Sequence, residues 1–143
     1  MSQRSSQSIA EESAKSMWAD DNASRNLAME LIEIGPGRAV MAMMVTAVMT
    51  NGHGTCHGGY IFTLADSAFA FACNSHGQRT VAQQCSIAYI APGRQGMRLF
   101  AEAVERQRGE RSGITDVTVR DETGAIIAEF RGHSRTVPGS LLS

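Results

Sequence analysis

A length of 143 residues fits one domain and is sufficient to enclose a single hydrophobic core. Hydrophobic residues make up 43% of the chain and charged residues 19%, which is typical of a globular protein and excludes an intrinsically disordered one. The formal net charge of -1 provides no overall attraction to nucleic acid or to an anionic membrane. Any phosphate-bearing ligand must therefore be held by local arginine side chains and backbone amides.

The cysteines and the N-terminal residues indicate where the protein resides. Cys56, Cys73 and Cys85 are odd in number and scattered, which argues against a disulfide framework and for a reducing compartment. The first twelve residues are polar and Ser-rich, without the apolar segment of a secretory signal. No apolar run approaches the roughly 20 residues that span a bilayer. We therefore expect a cytoplasmic protein that binds neither membrane nor nucleic acid.

The N-terminal part of the chain predicts a helix and a hairpin. Residues 1–8 are expected to form a disordered tail, and apolar residues at helical spacing from Ile9 to Ala23 predict an amphipathic helix. Two extended segments, residues 29–34 and 38–48, are separated by the turn signal Gly35-Pro36-Gly37 and together predict a hairpin.

The remainder predicts one long helix followed by antiparallel strands. A glycine-dense loop leads into a central helix predicted over residues 58–74. Extended segments separated by short turns follow at residues 80–90, 97–105, 114–121 and 125–134. Short turns join antiparallel neighbours, so we expect an antiparallel meander. This order predicts an α+β fold, in which one curled sheet packs on the central helix, with a single domain at residues 9–137 and a tail at residues 138–143.

Asp66 is the only charged residue of the predicted central helix, which is apolar on nearly every face. A helix of this kind is normally buried on all sides. Burial of an unpaired carboxylate is costly or raises its pKa until it is neutral, so an aspartate there is either paired or used in chemistry. An aspartate that faces water at the rim of an incompletely covered helix is the alternative. We favour a catalytic carboxylate.

The same helix begins with His57-Gly58-Gly59, which leaves backbone N–H groups uncovered at the positive end of the helix dipole. Such an end stabilises an anion, including the oxyanion that develops when an acyl carbonyl is attacked. A flexible helix start without a ligand is the alternative.

The spacing of these two features constrains how they combine. Gly59 and Asp66 lie seven residues apart, so about 10 Å separates them along one helix. The attacking water and the oxyanion donor must both lie within about 3 Å of one acyl group, which a single helix cannot achieve. Two antiparallel copies side by side can, so we predict a two-fold dimer with paired composite sites.

Residues 51–59 (Asn-Gly-His-Gly-Thr-Cys-His-Gly-Gly) and 62–75 (Phe-Thr-Leu-Ala-Asp-Ser-Ala-Phe-Ala-Phe-Ala-Cys-Asn-Ser) closely resemble the hot-dog thioesterases of phenylacetic acid degradation. The turn at residues 91–93 and the segment 130–134 also resemble that family, and the resemblance runs from about Trp18 to Val137. It implies the hot-dog fold, with a long helix wrapped by an antiparallel sheet, dimers that join their sheets edge to edge, and usually tetramers. It implies hydrolysis of phenylacetyl- or ring-hydroxylated phenylacetyl-CoA.

The resemblance also implies roles for individual residues. Asp66 is the general base or nucleophile, the amide of Gly58 or a neighbour such as Gly59 polarises the carbonyl, and Asn51 and His57 lie near the thioester. Coenzyme A, as part of the substrate, threads between protomers, and no metal or separate cofactor is required. The candidates for its phosphates are arginines: Arg94, Arg111 and Arg131.

One stretch departs from the family. Several relatives place a serine or threonine on the strand after the helix, where residues 81–85 here read Val-Ala-Gln-Gln-Cys. Either Gln83 or Gln84 substitutes for that hydroxyl, or the contact is absent.

Other functions remain as alternatives. A cysteine hydrolase would use Cys56 or Cys73, although the adjacency of Cys56 and His57 does not make a dyad. A zinc site at His53, Cys56 and His57 lacks a clear fourth ligand. The same fold also supports a non-catalytic acyl-CoA-binding regulatory module, or an enoyl-CoA hydratase that would pair Asp66 with His57.

Overall fold

The computed structural model describes residues 4–143. Three α-helices and six β-strands follow one another along the chain as α1 Ser6–Asp20, α2 Asn22–Asn26, β1 Glu30–Gly35, β2 Arg38–Met44, α3 Gly58–Cys73, β3 Gln78–Tyr89, β4 Arg98–Arg108, β5 Ser112–Arg120 and β6 Ile126–Ser140. A short 3-10 turn, Ala47–Met49, lies between β2 and the loop that precedes α3. Among these described helices, none is long and apolar enough to cross a membrane.

The N-terminal helix differs from the single helix predicted over residues 9–23. It begins earlier, because the Ser5 hydroxyl accepts a hydrogen bond from the Ser8 amide at 3.0 Å and caps the first turn. It also breaks at Asp21, whose carboxylate accepts from the Ser24 amide at 2.9 Å and from its hydroxyl at 2.7 Å, so that α2 starts afresh. Of the predicted tail at residues 1–8, residues 1–3 lie outside the described part of the chain.

The six strands form one antiparallel sheet in the order β1-β2-β4-β5-β6-β3. The predicted hairpin is found as β1 and β2, and the expected meander is found for β4, β5 and β6. The expectation is wrong for β3, which pairs with β6 at the far edge instead of lying next to β4. The segment between β3 and β4 runs beside the start of α3, where the Gly93 carbonyl accepts from the Cys56 amide at 2.7 Å. The last strand extends to Ser140, beyond the predicted limit at residue 134.

Helix α3 packs against the inward face of the sheet, mainly on β2, β4 and β5. Inward side chains alternate with outward ones along β4 and β5, as expected for strands with one buried face. Phe69 of α3 lies directly on the backbone of β6, since a Cβ at Gly132 would stand only 2.7 Å from its ring. The residues of α3 that are buried in the core are Ile61, Leu64, Ala65, Ala68, Phe69, Phe71, Ala72 and Cys73.

One face of α3 is not covered within the single chain. At helical spacing along this face, Gly59 is exposed, and Thr63, Asp66 and Ala70 are half-buried. The expectation that the helix would be enclosed on all sides is therefore not met by one protomer.

Thr115 provides a test of the core. Its hydroxyl is fully buried in β5 and has no hydrogen-bond partner within the described residues. Replacing it by valine removes an unsatisfied polar group and keeps the shape, so Thr115→Val should raise the free energy of unfolding by about 1 kcal/mol in chemical denaturation.

Thr118→Val is the matched control on the same strand, because the Thr118 hydroxyl already donates to Glu129 at 2.9 Å. It should not stabilise the protein. A destabilised Thr115→Val variant would show that the buried hydroxyl does have a partner.

Candidate active site

The loop that precedes α3 is held by the Asn51 side chain. A β-bridge between Thr50 and Cys56 closes the loop. Inside it the side-chain Oδ1 of Asn51 accepts from the His53 amide at 2.9 Å and from the Thr55 amide at 3.3 Å. The Asn51 side-chain NH₂ donates to no group in residues 4–143, so it is available to a ligand. Asn51 and His57 both lie within one residue of the bridge, which brings these two predicted site residues to the same loop.

Two of the first three backbone amides of α3 have hydrogen-bond acceptors within the described residues. His57 is the N-cap, and its Nδ1 accepts a hydrogen bond from the Gly59 amide at 3.0 Å. The Tyr60 amide donates to the His57 carbonyl at 3.0 Å. The Gly58 amide has no acceptor among the described residues. Of the two glycine amides proposed from the sequence, the amide of Gly58 is therefore the one left open at the positive end of the helix.

Tyr89 is a neighbour of this helix start that sequence reasoning missed. Its hydroxyl donates to the Gly58 carbonyl at 2.9 Å, and its ring occupies the space in which a Cβ of Gly58 would stand, 2.8 Å away. Together with Cys56, Ile61 and Ala91 it lines a cavity of about 440 Å³ beside the helix N-terminus. The contact joins residues 31 positions apart, and no local pattern in the sequence indicates it.

Asp66 lies on the uncovered face of α3 and is half-buried. Within residues 4–143 its carboxylate has neither a hydrogen-bond donor nor a salt-bridge partner, so the structural pairing considered from the sequence is not seen there. Loss of hydration raises the pKa of this carboxyl above its ordinary value, and the negative charge of Asp21 raises it further. The result is a carboxylate that is more basic than one in water.

The cysteine thiols do not have the properties of nucleophiles. Cys56 and Cys73 are buried, and burial raises the pKa of both thiols, that of Cys73 to about 12. Cys85 on β3 is half-buried, and its pKa is raised first by burial and then by the charge of Asp66. Reactive cysteines instead have lowered pKa values, so these thiols do not favour a cysteine hydrolase.

The three candidate arginines lie at separate places. Arg94 is exposed, and its backbone forms a β-bridge with Thr55 in the loop before α3. Arg131 on β6 is bound to Asp116, through Nε at 2.6 Å and Nη2 at 2.9 Å. Arg111 lies in the turn between β4 and β5, close to Gln78 at the start of β3. One chain therefore does not bring them together.

Gln83 and Gln84, in the stretch that differs from the family, lie in the middle of β3 and are exposed. Gln84 is opposite His133 of β6, whereas Gln83 lies at a register shift and has no partner residue. The structure gives neither side chain a hydrogen bond to Asp66 within the described residues.

A family model described as the thioesterase superfamily matches residues 53–128, more than half of the chain. The chain belongs to the thioesterase superfamily. This match, together with the relatives described next, confirms the predicted family, the α+β hot-dog fold and the prediction of a thioester hydrolase.

Individual proteins are similar to this chain over most of their length. The acyl-coenzyme A thioesterase PaaI of Escherichia coli K12 is 40% identical over 130 residues, which are 91% of this chain and 93% of that protein. The structure of the E. coli PaaI protein from the phenylacetic acid degradation operon matches with a TM-score of 0.93, covering 95% of this chain and 99% of that one. A Streptococcus mutans UA159 protein bound to acetyl CoA is 26% identical, with a TM-score of 0.76, over 78% of this chain and 90% of that one.

The raised pKa of Asp66 predicts how stability depends on pH. The folded state binds the proton of the Asp66 carboxyl more tightly than the unfolded state does. Asp66 therefore lowers the free energy of unfolding as the pH rises from 3.8, the ordinary pKa of aspartate, through the raised pKa of the folded state. Above that pKa the loss is complete. Asp66→Asn should therefore raise the melting temperature at about pH 7, and the gain should shrink towards about pH 4.

Asp21→Asn is the control for the second cause of the shift. Asparagine keeps an acceptor for the cap of α2 but removes the charge, so it should give a smaller gain with the same pH dependence. A gain for Asp66→Asn that does not change with pH would contradict the assignment.

Proposed function

We propose that this thioesterase hydrolyses acyl-coenzyme A to the free acid and coenzyme A, with phenylacetyl or a ring-hydroxylated phenylacetyl as the acyl group. The observation that carries the proposal is that α3 presents a carboxylate of raised pKa, Asp66, and the amide of Gly58, and that neither has a partner within residues 4–143. The name of the E. coli relative and the operon of its solved structure support the substrate. The acetyl CoA bound to the Streptococcus protein supports a coenzyme A ligand.

Asp66 supplies the basic group for this reaction. It removes a proton from water as the water attacks the thioester carbonyl, or it attacks the carbonyl itself and water then cleaves the anhydride. In both routes the bond from the carbonyl carbon to sulfur breaks, and the coenzyme A thiolate leaves and takes up a proton. Water is the only co-reactant in either route, and the proposed mechanism assigns no step to a metal or to a further cofactor.

The start of α3 stabilises the charge that develops on the carbonyl oxygen. The open Gly58 amide and the helix dipole are directed at this position before the reaction begins, which is the property that makes such donors effective. The free Asn51 side-chain NH₂ and the His57 ring, on the same loop, are the further polar groups near the thioester.

The two groups of one site come from two protomers. Gly58 and Asp66 are eight residues apart on one helix, about 12 Å along its axis, which is too far for both to reach one thioester. The outer edge of β3 is unpaired within one chain along its 12 residues, and Val81 on it is 45% exposed. A long open edge of this kind favours pairing with another strand. We therefore propose a homodimer joined along β3, and a dimer of dimers.

Antiparallel pairing of two β3 strands also bears on the phosphates of coenzyme A. It would bring the Arg111 end of one protomer next to the Tyr89 end of the other, where Arg94 lies. Arg94 and Arg111 thus become neighbours from different chains. Arg131 would have to share its guanidinium with Asp116.

The catalytic role of Asp66 is tested by thiol release from phenylacetyl-CoA. Asp66→Ala should lower kcat by at least ~10²-fold, as expected for loss of a general base. Glu102→Gln, which changes a carboxylate on β4 that pairs with Arg38 at 2.8 Å, should leave the rate unchanged. An active Asp66→Ala enzyme would overturn the assignment.

Tight binding without thiol release by the wild type would indicate a binding module, and loss of the enoyl absorbance of an enoyl-CoA would indicate a hydratase.

Shared sites are tested by mixed dimers of Asp66→Asn and Gly58→Val protomers carrying different tags. Each homodimer should be inactive, whereas a mixed dimer retains one intact site of two and should recover about half of the wild-type rate. Verified mixed dimers without activity would show that each site is built from a single chain.

A further inference from the structure

Tyr89 and His57 are connected through a single peptide group. The Tyr89 hydroxyl donates to the carbonyl of Gly58 at 2.9 Å. The amide at the other end of that peptide group belongs to Gly59 and donates to Nδ1 of His57 at 3.0 Å. A donor on the carbonyl polarises the peptide group and strengthens its N–H as a donor, so the two hydrogen bonds reinforce each other.

This chain of bonds determines the tautomer of His57. A ring nitrogen that accepts a hydrogen bond carries no proton, so the neutral imidazole must hold its proton on Nε2. The Nε2–H is then a donor on the side of the ring away from the Gly59 amide. It stands on the residue next to the open Gly58 amide, so two donors are available at one helix start.

The Tyr89 side chain has little to contribute to the core. It is 52% exposed at the last position of β3, where it lines the cavity beside α3. Its ring nevertheless requires a glycine at position 58, because a Cβ there would approach the Tyr89 Cζ to 2.8 Å and the hydroxyl oxygen to 2.9 Å. Gly58 therefore lacks a side chain for a reason separate from its open amide: it admits the tyrosine.

We propose that Tyr89 is a positioning residue of the thioesterase site. It holds the first peptide group of α3 and, through this group, the His57 tautomer whose Nε2–H faces the thioester carbonyl beside the Gly58 amide. The proposal rests on the proposed function, since it assumes that the carbonyl is bound at this end of α3. Tyr89 does not touch the substrate in this role.

Tyr89→Phe is the direct test, because it removes the hydroxyl and keeps the ring over Gly58. We expect kcat for thiol release from phenylacetyl-CoA to fall about tenfold, with KM within about twofold and an unchanged melting temperature. Tyr60→Phe is the control, since Tyr60 is the only other tyrosine and its hydroxyl makes no hydrogen bond in residues 4–143. It should have wild-type kinetics.

The tautomer is read independently from the ¹⁵N shifts of the imidazole nitrogens. The chain has four histidines, so His57→Gln identifies the signals of His57. In the wild type Nδ1 should have the shift of an unprotonated nitrogen, and in Tyr89→Phe the population with the proton on Nδ1 should increase. A double-mutant cycle adds a third readout, because Gly58→Ala should cost less activity in a Tyr89→Ala background than in the wild type.

The outcomes separate this proposal from the proposed function. An unchanged kcat for Tyr89→Phe overturns the positioning role, and so does a lowered kcat with an unchanged tautomer, which would mean that the hydroxyl acts on the substrate itself. A raised KM with an unchanged kcat would make Tyr89 a binding residue and also overturns it. A wild-type protein that releases no thiol refutes the proposed function, while the ¹⁵N shifts still decide whether Tyr89 sets the tautomer.

Discussion

The close approach of α3 to the sheet is the constraint on which the rest of the structure depends. Phe69 lies on the β6 backbone at Gly132, where any Cβ would overlap the ring, and small alanines such as Ala65 and Ala68 fill the remainder of the contact. The faces of α3 that meet the sheet are thus fully occupied by apolar groups. A carboxylate on any of those faces would be sealed without a partner, so Asp66 is tolerated only on the uncovered face.

The basicity of Asp66 is connected to the break in the N-terminal helix. The Ser24 hydroxyl lies 2.7 Å from that of Ser67, so α2 docks beside Asp66 on α3. Asp21, the cap of α2, brings a second negative charge to this region, and that charge adds to desolvation in raising the pKa of Asp66. A feature that ends one helix therefore also tunes a group on another.

Local signals in the sequence were sufficient for some parts of the structure and not for others. The central helix, predicted over residues 58–74 and found as Gly58–Cys73, is marked by a glycine pair followed by a continuous apolar run. The break at Asp21 was missed because aspartate is also common inside amphipathic patterns, and its capping bonds depend on the fold of the next turn. The position of β3 beside β6 depends on pairing across some 50 residues of chain, for which adjacent turns give no signal.

In the candidate site, too, some residues have a local signal in the sequence and others do not. Asp66 and Gly58 were proposed from the sequence because each is unusual in its own surroundings: one charge in an apolar helix, and one uncovered amide at its start. Tyr89 has no such local contrast, since a tyrosine at the end of a strand is ordinary. The role proposed for it depends on where β3 ends relative to α3, and that is a property of the folded chain.

The separation of the Gly58 amide from the Asp66 carboxylate along α3 has a consequence for the proposed dimer. In the proposed dimer, about 12 Å of helix separates Gly58 from Asp66, so the donors of one chain would serve one site and its carboxylate would serve the other. Tyr89, in the positioning role proposed for it, would then belong to the site opposite the one that contains Asp66 of its own chain. In that arrangement α3 would connect the two active sites, so a displacement of the helix along its axis would move a donor in one site and a base in the other.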